Sequence, residues 1–213
     1  ILRHAGQEHS QECSTTTVHS SDAQMSKVSS VLKSLARDWS AEGQAEQATT
    51  YNPIKKTVQT YLPLNSNMEE DTTTVGQEAS PPIKICVPGA GVGRLACELA
   101  SLGYAVQGNE FSLYMLLASD FILNGGMATP EKPLRISPYL LESRNVHASS
   151  DPTRAITIPD VDPYSLLASG KAEAPDFSMA GGEFVSIYSA AREKGAWDCV
   201  VACFFLDTAP CIV

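Results

Sequence analysis

The stretch Ile83-Lys84-Ile85-Cys86-Val87-Pro88-Gly89-Ala90-Gly91-Val92-Gly93 decides how the rest of the chain is read. A short apolar run meets a proline and then glycines at alternate positions, and Leu95, Leu99 and Leu102 follow at helical spacing with Ala96 and Ala100 between them. The pattern predicts a buried strand, a tight turn and a helix ended by Gly103. Glycines after a first parallel strand let the backbone turn sharply and approach a ligand with no Cβ in the way. The helix beyond them aims free N–H groups and its positive end at the same spot. A second strand, Tyr104 to Gly108, runs on to Asn109-Glu110, and a carboxylate at that strand end faces a ribose in sheets of this kind.

Several ligands compete for such a loop. The nicotinamide-dinucleotide fingerprint GxGxxG, counted from Gly89, needs a glycine at position 94, where Arg94 stands. A phosphate-binding GxxxxGK[ST] loop is excluded, because no Gly-Lys pair is followed by Ser or Thr. The Gly89/Gly91/Gly93 spacing suits S-adenosylmethionine, whose amino-acid end and sulfonium lie close to bare backbone. Glycines that serve only a turn remain an alternative. Val87 weighs against the methyltransferase reading, since it stands where many methyltransferases carry an acid two places before the first glycine.

Outward from the loop, strands and helices alternate as in a parallel, doubly wound sheet. Ser112 is placed to cap a helix whose Leu113, Leu116, Leu117 and Phe121 are spaced to face inward. Residues 127–175 are rich in proline with little periodicity, and an insert this long in an α/β domain suggests a lid or wall. Phe177 to Ala180 reads as a third strand ending at Gly182-Glu183-Phe184, with a short helical stretch from Val185 to Glu193 after it. Trp197 to Phe205 reads as a buried fourth strand ending at Leu206-Asp207. Upstream, Val28, Val31, Leu32, Leu35 and Trp39 predict an amphipathic helix, and Pro53 suits the first turn of a second helix through Ile54, Val58 and Tyr61. The expected organisation is a disordered tail at 1–24, a helical segment at 25–63, an acidic loop at 64–82, and an α/β domain at 83–213 carrying the 127–175 insert.

Composition narrows the classes. With 213 residues the chain holds one domain plus appendages. A formal charge of -9, from 15 Lys+Arg against 24 Asp+Glu, repels phosphate backbones, so no nucleic-acid partner is expected. A hydrophobic fraction of 43% supplies a real core. The longest apolar run, Val200 to Leu206, falls far short of the roughly 20 residues a membrane helix needs, so a soluble globular protein is expected. The six cysteines form no CxxC pair and read as reduced thiols, and His4, His9, His19 and His147 lie in polar stretches, so no metal site is expected. The opening Ile1 and the close at Cys211-Ile212-Val213 read as cut ends.

With these residues on the page, the chain resembles the carnosine N-methyltransferase family. The resemblance rests on Asp38-Trp39-Ser40 through Tyr51-x-Pro53-Ile54, Val87 to Leu95, Gln107-Gly-Asn-Glu-Phe-Ser112, Ile158-Pro-Asp-Val-Asp-Pro163, and Trp197-Asp-Cys through Cys203-Phe-Phe-Leu-Asp-Thr-Ala209. It implies an α/β, Rossmann-like class I methyltransferase fold, with only the first four strands of the parallel sheet present behind an N-terminal helical segment. It implies transfer of a methyl group from S-adenosyl-L-methionine to the imidazole of carnosine, giving anserine, or of a related histidine-containing peptide. Cofactor contacts carry over to Gln44, Gln47, Gly89, Gly91, Gly93, Glu110, Glu183, Phe184 and Cys203. Two of these depart from the family pattern: Gln47 replaces an Arg, and Glu183 replaces an Asp. Gln47 and Phe184 also admit a packing role, and Asp207 is read either as orienting the acceptor or as capping a turn. No catalytic base is assigned, because the family's acceptor residues fall mostly beyond Val213, and Pro210-Cys211 stands where His-Asn is implied. A small dipeptide substrate, no membrane, an open possibility of a homodimer, and a place in cytoplasm and nucleus complete the expectation. Two other functions stay open: a truncated, non-catalytic or regulatory form, and a weaker NAD-dependent oxidoreductase.

Overall fold

A computed structural model describes residues 21–64, 81–124, 129–140, 148–170 and 176–208. Expectations for the first twenty residues, for most of the acidic loop at 64–82 and for His147 therefore lie outside the described residues.

Helix α1, Asp22–Asp38, starts from a capping box in which Ser21 and Gln24 satisfy each other's backbone, so the helical segment begins earlier than the expected boundary at 25. Helix α2, Gln44–Tyr61, corrects a second expectation. Pro53 lies inside it rather than in its first turn. The good helix formers from Gln44 to Ala48 let α2 start well before Pro53, directly after a 3-10 turn over Ala41–Gly43. A proline in that position removes one i→i−4 bond. The packing of Tyr51 and Val58 on either side holds the helix together.

Strand β1 is Lys84–Pro88, α3 is Arg94–Ser101, β2 is Ala105–Glu110 and α4 is Leu113–Leu123. A small antiparallel ribbon follows, β3 at Leu134–Ile136 and β4 at Ile156–Ile158, and then α5 at Pro163–Ala168. Strand β5 is Phe177–Gly181, α6 is Phe184–Tyr188 and β6 is Cys199–Val200. The main sheet is parallel throughout, in the order β5-β2-β1-β6. Reversing direction at β1 puts the carboxyl ends of β1 and β2 beside a topological switch point, where open α/β sheets bind ligands.

Two apolar clusters hold this arrangement. In the first, Ile85, Val87 and Val106 of the sheet meet Leu95, Leu99 and Ala100 of α3 and Tyr51 and Val58 of α2. Tyr104 donates its hydroxyl to Leu62 O at 2.8 Å, which ties the end of α2 to the start of β2. In the second, Leu35 and Ala36 of α1 and Trp39 at its C-terminal cap meet Val92, Cys97 and Ile122 together with Ile156 and Ile158 of β4. The described part of the 127–175 insert is therefore a packed wall behind the glycine loop rather than a lid. Ile156 and Ile158 carry its packing while Leu134, Leu140 and Tyr164 are exposed, which is why periodicity did not show it.

Three further expectations change. In α4, Ser119 and Ile122 are buried while Leu113 and Leu117 are exposed, because a helix apolar on nearly every side gives no periodic clue to its inner face. The helical stretch at 185–193 divides into α6 and a 3-10 turn over Ala191–Glu193. The fourth strand is two residues long, Val200 is exposed, and Cys203 to Phe205 lie beyond the strand. Among the described residues, β6 pairs with β1 alone. No described helix is long and apolar enough to cross a membrane.

Candidate active site

The turn between β1 and α3 is left-handed at each of its glycines, with φ of 64° at Gly89, 56° at Gly91 and 82° at Gly93. The reason differs along the loop. A Cβ at Gly89 would come within 2.7 Å of Phe205 Cδ2, and one at Gly93 within 2.8 Å of Leu123 Cδ1. A Cβ at Gly91 would meet nothing within 4 Å. The middle of the loop thus faces open space with bare backbone, the cradle that a close-lying ligand requires.

Glu110, at the end of β2, holds the rim of this cradle. Its carboxylate accepts from Gly91 N at 2.9 Å through Oε2 and from Ser112 N at 2.8 Å through Oε1. Ala90 N donates to Asn109 O at 2.9 Å, which pins the loop to the adjacent strand. A carboxylate has about four acceptor positions, so Glu110 keeps capacity for a ligand's hydroxyls after binding both amides.

Below the loop, Trp39 is fully buried and donates Nε1–H to Val92 O at 3.0 Å. The Arg94 guanidinium lies 4.8 Å from its ring centroid. Arg94 also reaches Glu98 and Asp160, each at 2.7 Å, and Lys55 reaches the other oxygen of Glu98 at 2.6 Å. Three segments distant in sequence are thereby joined under the first turn of α3.

On the side of the N-terminal helices, Asp38 is buried and takes Arg37 on both oxygens, Nε at 2.7 Å and Nη2 at 3.0 Å. Tyr51 donates its hydroxyl to the same carboxylate at 2.8 Å. Burial and the nearby Asp38 charge push the Tyr51 phenol far above its usual range. Burial also raises the Cys203 thiol, with the Arg37 charge pulling the other way and the charges of Asp38 and Glu46 adding to the rise. On the opposite side, Asn109 is buried and donates to Ala180 O and Gly182 O at 3.2 and 3.0 Å, locking the ends of β2 and β5 together. Phe184 sits directly beyond, edge-on to Phe205 with centroids 5.5 Å apart.

A model of the carnosine N-methyltransferase family matches residues 14–213. The chain belongs to this family. It is similar to the carnosine N-methyltransferase of Mus musculus, 40% identical over 204 residues that make up 95% of this chain and 45% of the mouse protein. The protein of that name in Schizosaccharomyces pombe is 39% identical over 184 residues, 86% of this chain and 45% of the yeast protein. The Dictyostelium discoideum protein is 38% identical over 189 residues, 89% of this chain and 37% of its own length. The chain thus spans less than half the length of these curated relatives.

Within this carnosine N-methyltransferase framework, the expected site residues do not all fall alike. Gly89, Gly91, Gly93 and Glu110 come together as one hydrogen-bonded rim. Phe184 and Glu183 lie at the adjoining end of β5, where Gly182 N donates to Glu110 O at 2.9 Å. The Glu183 carboxylate accepts from Val185 N and Ser186 N and from the Ser186 hydroxyl, so it caps α6, and these bonds, the hydroxyl's foremost, hold it below the usual carboxylate range. Gln47 is buried with its amide donating to Arg37 O at 2.7 Å and Asp38 O at 3.2 Å, which makes it a brace between α1 and α2. Gln44 is exposed in the first turn of α2, and Asp207 is exposed in a 3-10 turn over Leu206–Thr208. Sequence reasoning did not single out the Arg37–Asp38–Tyr51 cluster or the Trp39–Val92 bond. One signal was present: Asp38 continues the stripe Val31, Leu35, and a carboxylate on an apolar stripe must have buried partners.

The glycine geometry yields a direct expectation. Gly91→Ala meets no atom, so its cost to stability is only that of a positive φ, about 1 kcal/mol. Its methyl enters the open space in front of the loop, so the affinity of a ligand bound there is expected to fall by a much larger factor than stability. Thermal melts paired with calorimetric titration separate the two; equal losses would mean that Gly91 serves the turn alone.

Proposed function

We propose that this chain carries the donor-binding part of an S-adenosylmethionine-dependent methyltransferase acting on an imidazole nitrogen of carnosine, with anserine as product. Family membership supports the acceptor class. The observation that carries the donor assignment is the open, left-handed Gly91 whose amide is held by Glu110. Bare backbone, a strand-end carboxylate with spare acceptor capacity and an apolar wall at Phe184 fit a nucleoside that bears an amino-acid arm. The nicotinamide alternative fits less well. Its third glycine would stand at 94, and Arg94 fills that position with a buried side chain engaged with Trp39, Glu98 and Asp160.

When bound, S-adenosylmethionine supplies a methyl group on a positively charged sulfur, already activated toward nucleophiles. The residues then have three tasks. Glu110 and the loop amides hold the nucleoside, Phe184 and Phe205 exclude water from its base, and the braced loop keeps the donor aligned for in-line attack. Imidazole, with a reference pKa of about 6.5, is mostly neutral at pH 7, so the attacking nitrogen needs little activation. The bound donor would supply the methyl and leave with the bonding pair on its sulfur, and the proton of the other ring nitrogen would pass to solvent. Asp207 is proposed to orient the acceptor.

Calorimetric titration with S-adenosylhomocysteine and with NAD tests the donor site. Binding of the first and not the second is expected; the reverse overturns the proposal. Mass spectrometry of carnosine incubated with this chain and S-adenosylmethionine tests transfer separately. A gain of one methyl is expected, and its absence beside intact nucleoside binding assigns the chain a binding role without catalysis.

A further inference from the structure

Resting on the reading of the site as a sulfonium-nucleoside pocket, we infer that Arg37 is the cation that receives the carboxylate of the cofactor's amino-acid arm, with Asp38, Tyr51 and Gln47 as its positioning residues. A carboxylate drawn into a partly enclosed site needs charge-assisted donors there. Arg94 is committed to Glu98 and Asp160, and Lys55 to Glu98, all beneath the loop rather than in front of it. Arg37 differs in both exposure and geometry. Its side chain is 34% exposed, and Asp38 takes only Nε and Nη2, so the Nη1 end of the planar fork is directed away from that bridge.

The fork is fixed before any ligand arrives. Asp38 cannot swing, because it is buried and accepts from Tyr51 as well. The carbonyls of Arg37 and Asp38 are both held by the Gln47 amide, and the Arg37 carbonyl packs so closely on Gly43 that no Cβ fits there. The next residue, Trp39, is hydrogen-bonded to Val92 within the glycine loop. Residues 37–39 are thus anchored at one end by α2 and at the other by the cradle itself. The guanidinium charge is also felt at Cys203, beyond β6. Strands β5, which leads to Phe184, and β6 are the opposite edges of the sheet, and the Trp39–Val92 bond ties the Arg37 segment to the glycine loop between them, which leaves Arg37 the amino-acid arm and not the base.

The test compares two ligands that differ in that arm. S-Adenosylhomocysteine carries the carboxylate and 5′-methylthioadenosine lacks it. Titrations use the parent chain, Arg37→Met, and the double variant Arg37→Met/Asp38→Asn, in which no unpaired buried carboxylate is left behind. Both variants are expected to lose S-adenosylhomocysteine affinity roughly tenfold or more while methylthioadenosine affinity stays within about twofold. The ratio of the two affinities cancels any shared loss of folded protein. S-Adenosylhomocysteine affinity within about twofold of the parent's in the double variant overturns the inference, as does parallel loss of both ligands. A parent chain that binds neither nucleoside overturns the pocket reading itself, and this inference with it.

Discussion

Glu110→Ala is expected to weaken S-adenosylhomocysteine binding a hundredfold or more. The substitution removes the acceptor that holds Gly91 N and Ser112 N, and it removes the acceptors left for the ribose. Each charge-assisted hydrogen bond contributes about 1.5–3 kcal/mol, so the loss of even two reaches that factor. Stability should fall far less, because Ser112 and Gly91 lie at a partly exposed strand end where water replaces the lost acceptor. Titration of the variant beside its melting curve checks both parts. Unchanged nucleoside affinity would remove Glu110 from the site, and with it the main support for the donor assignment. Glu110→Gln refines the result: its amide keeps one acceptor oxygen but turns an N–H toward a backbone donor, so an intermediate loss is expected.

Trp39→Ala is expected to give the largest loss of stability of any single change near the site, about 3–5 kcal/mol. The indole is fully buried, its N–H is spent on Val92 O, and its face carries the Arg94 guanidinium. Trp39→Phe keeps most of the volume and the face but loses the donor, and should cost about 1–3 kcal/mol by leaving a buried carbonyl unsatisfied. Urea unfolding measures both as shifts of the midpoint at unchanged slope. A cost below about 1 kcal/mol for the alanine variant would contradict the burial of Trp39 between α1 and the glycine loop.

Much of the half of the molecule around the glycine loop was legible in the chain alone. The apolar run before Gly89, the alternate glycines and Glu110 at the second strand end each express a local requirement: burial, positive φ and a strand-end acceptor. Local requirements leave local marks. The N-terminal side was not legible in the same way. Gln47, a cofactor contact or a packing residue on the family resemblance, braces two backbone carbonyls in the structure, targets that no sequence pattern encodes. Leu113 and Leu117 were expected inside and are outside, since α4 is apolar around most of its circumference and only its neighbours select the buried face. The fourth strand was overextended for a related reason. The run from Cys199 to Phe205 has strand composition, but pairing exists only where β1 offers a partner.

The Lys55–Glu98–Arg94–Asp160 chain and the Trp39–Val92 bond bear on modularity. A boundary drawn at residue 83 on composition would cut through the supports of the ligand loop. The helices before it are not an adaptor that a related chain could trade for another, since exchange would take Lys55 from Glu98 and the Trp39 ring from Arg94. Front and back must be inherited together, and lineages that recombine at this point would be expected to lose both.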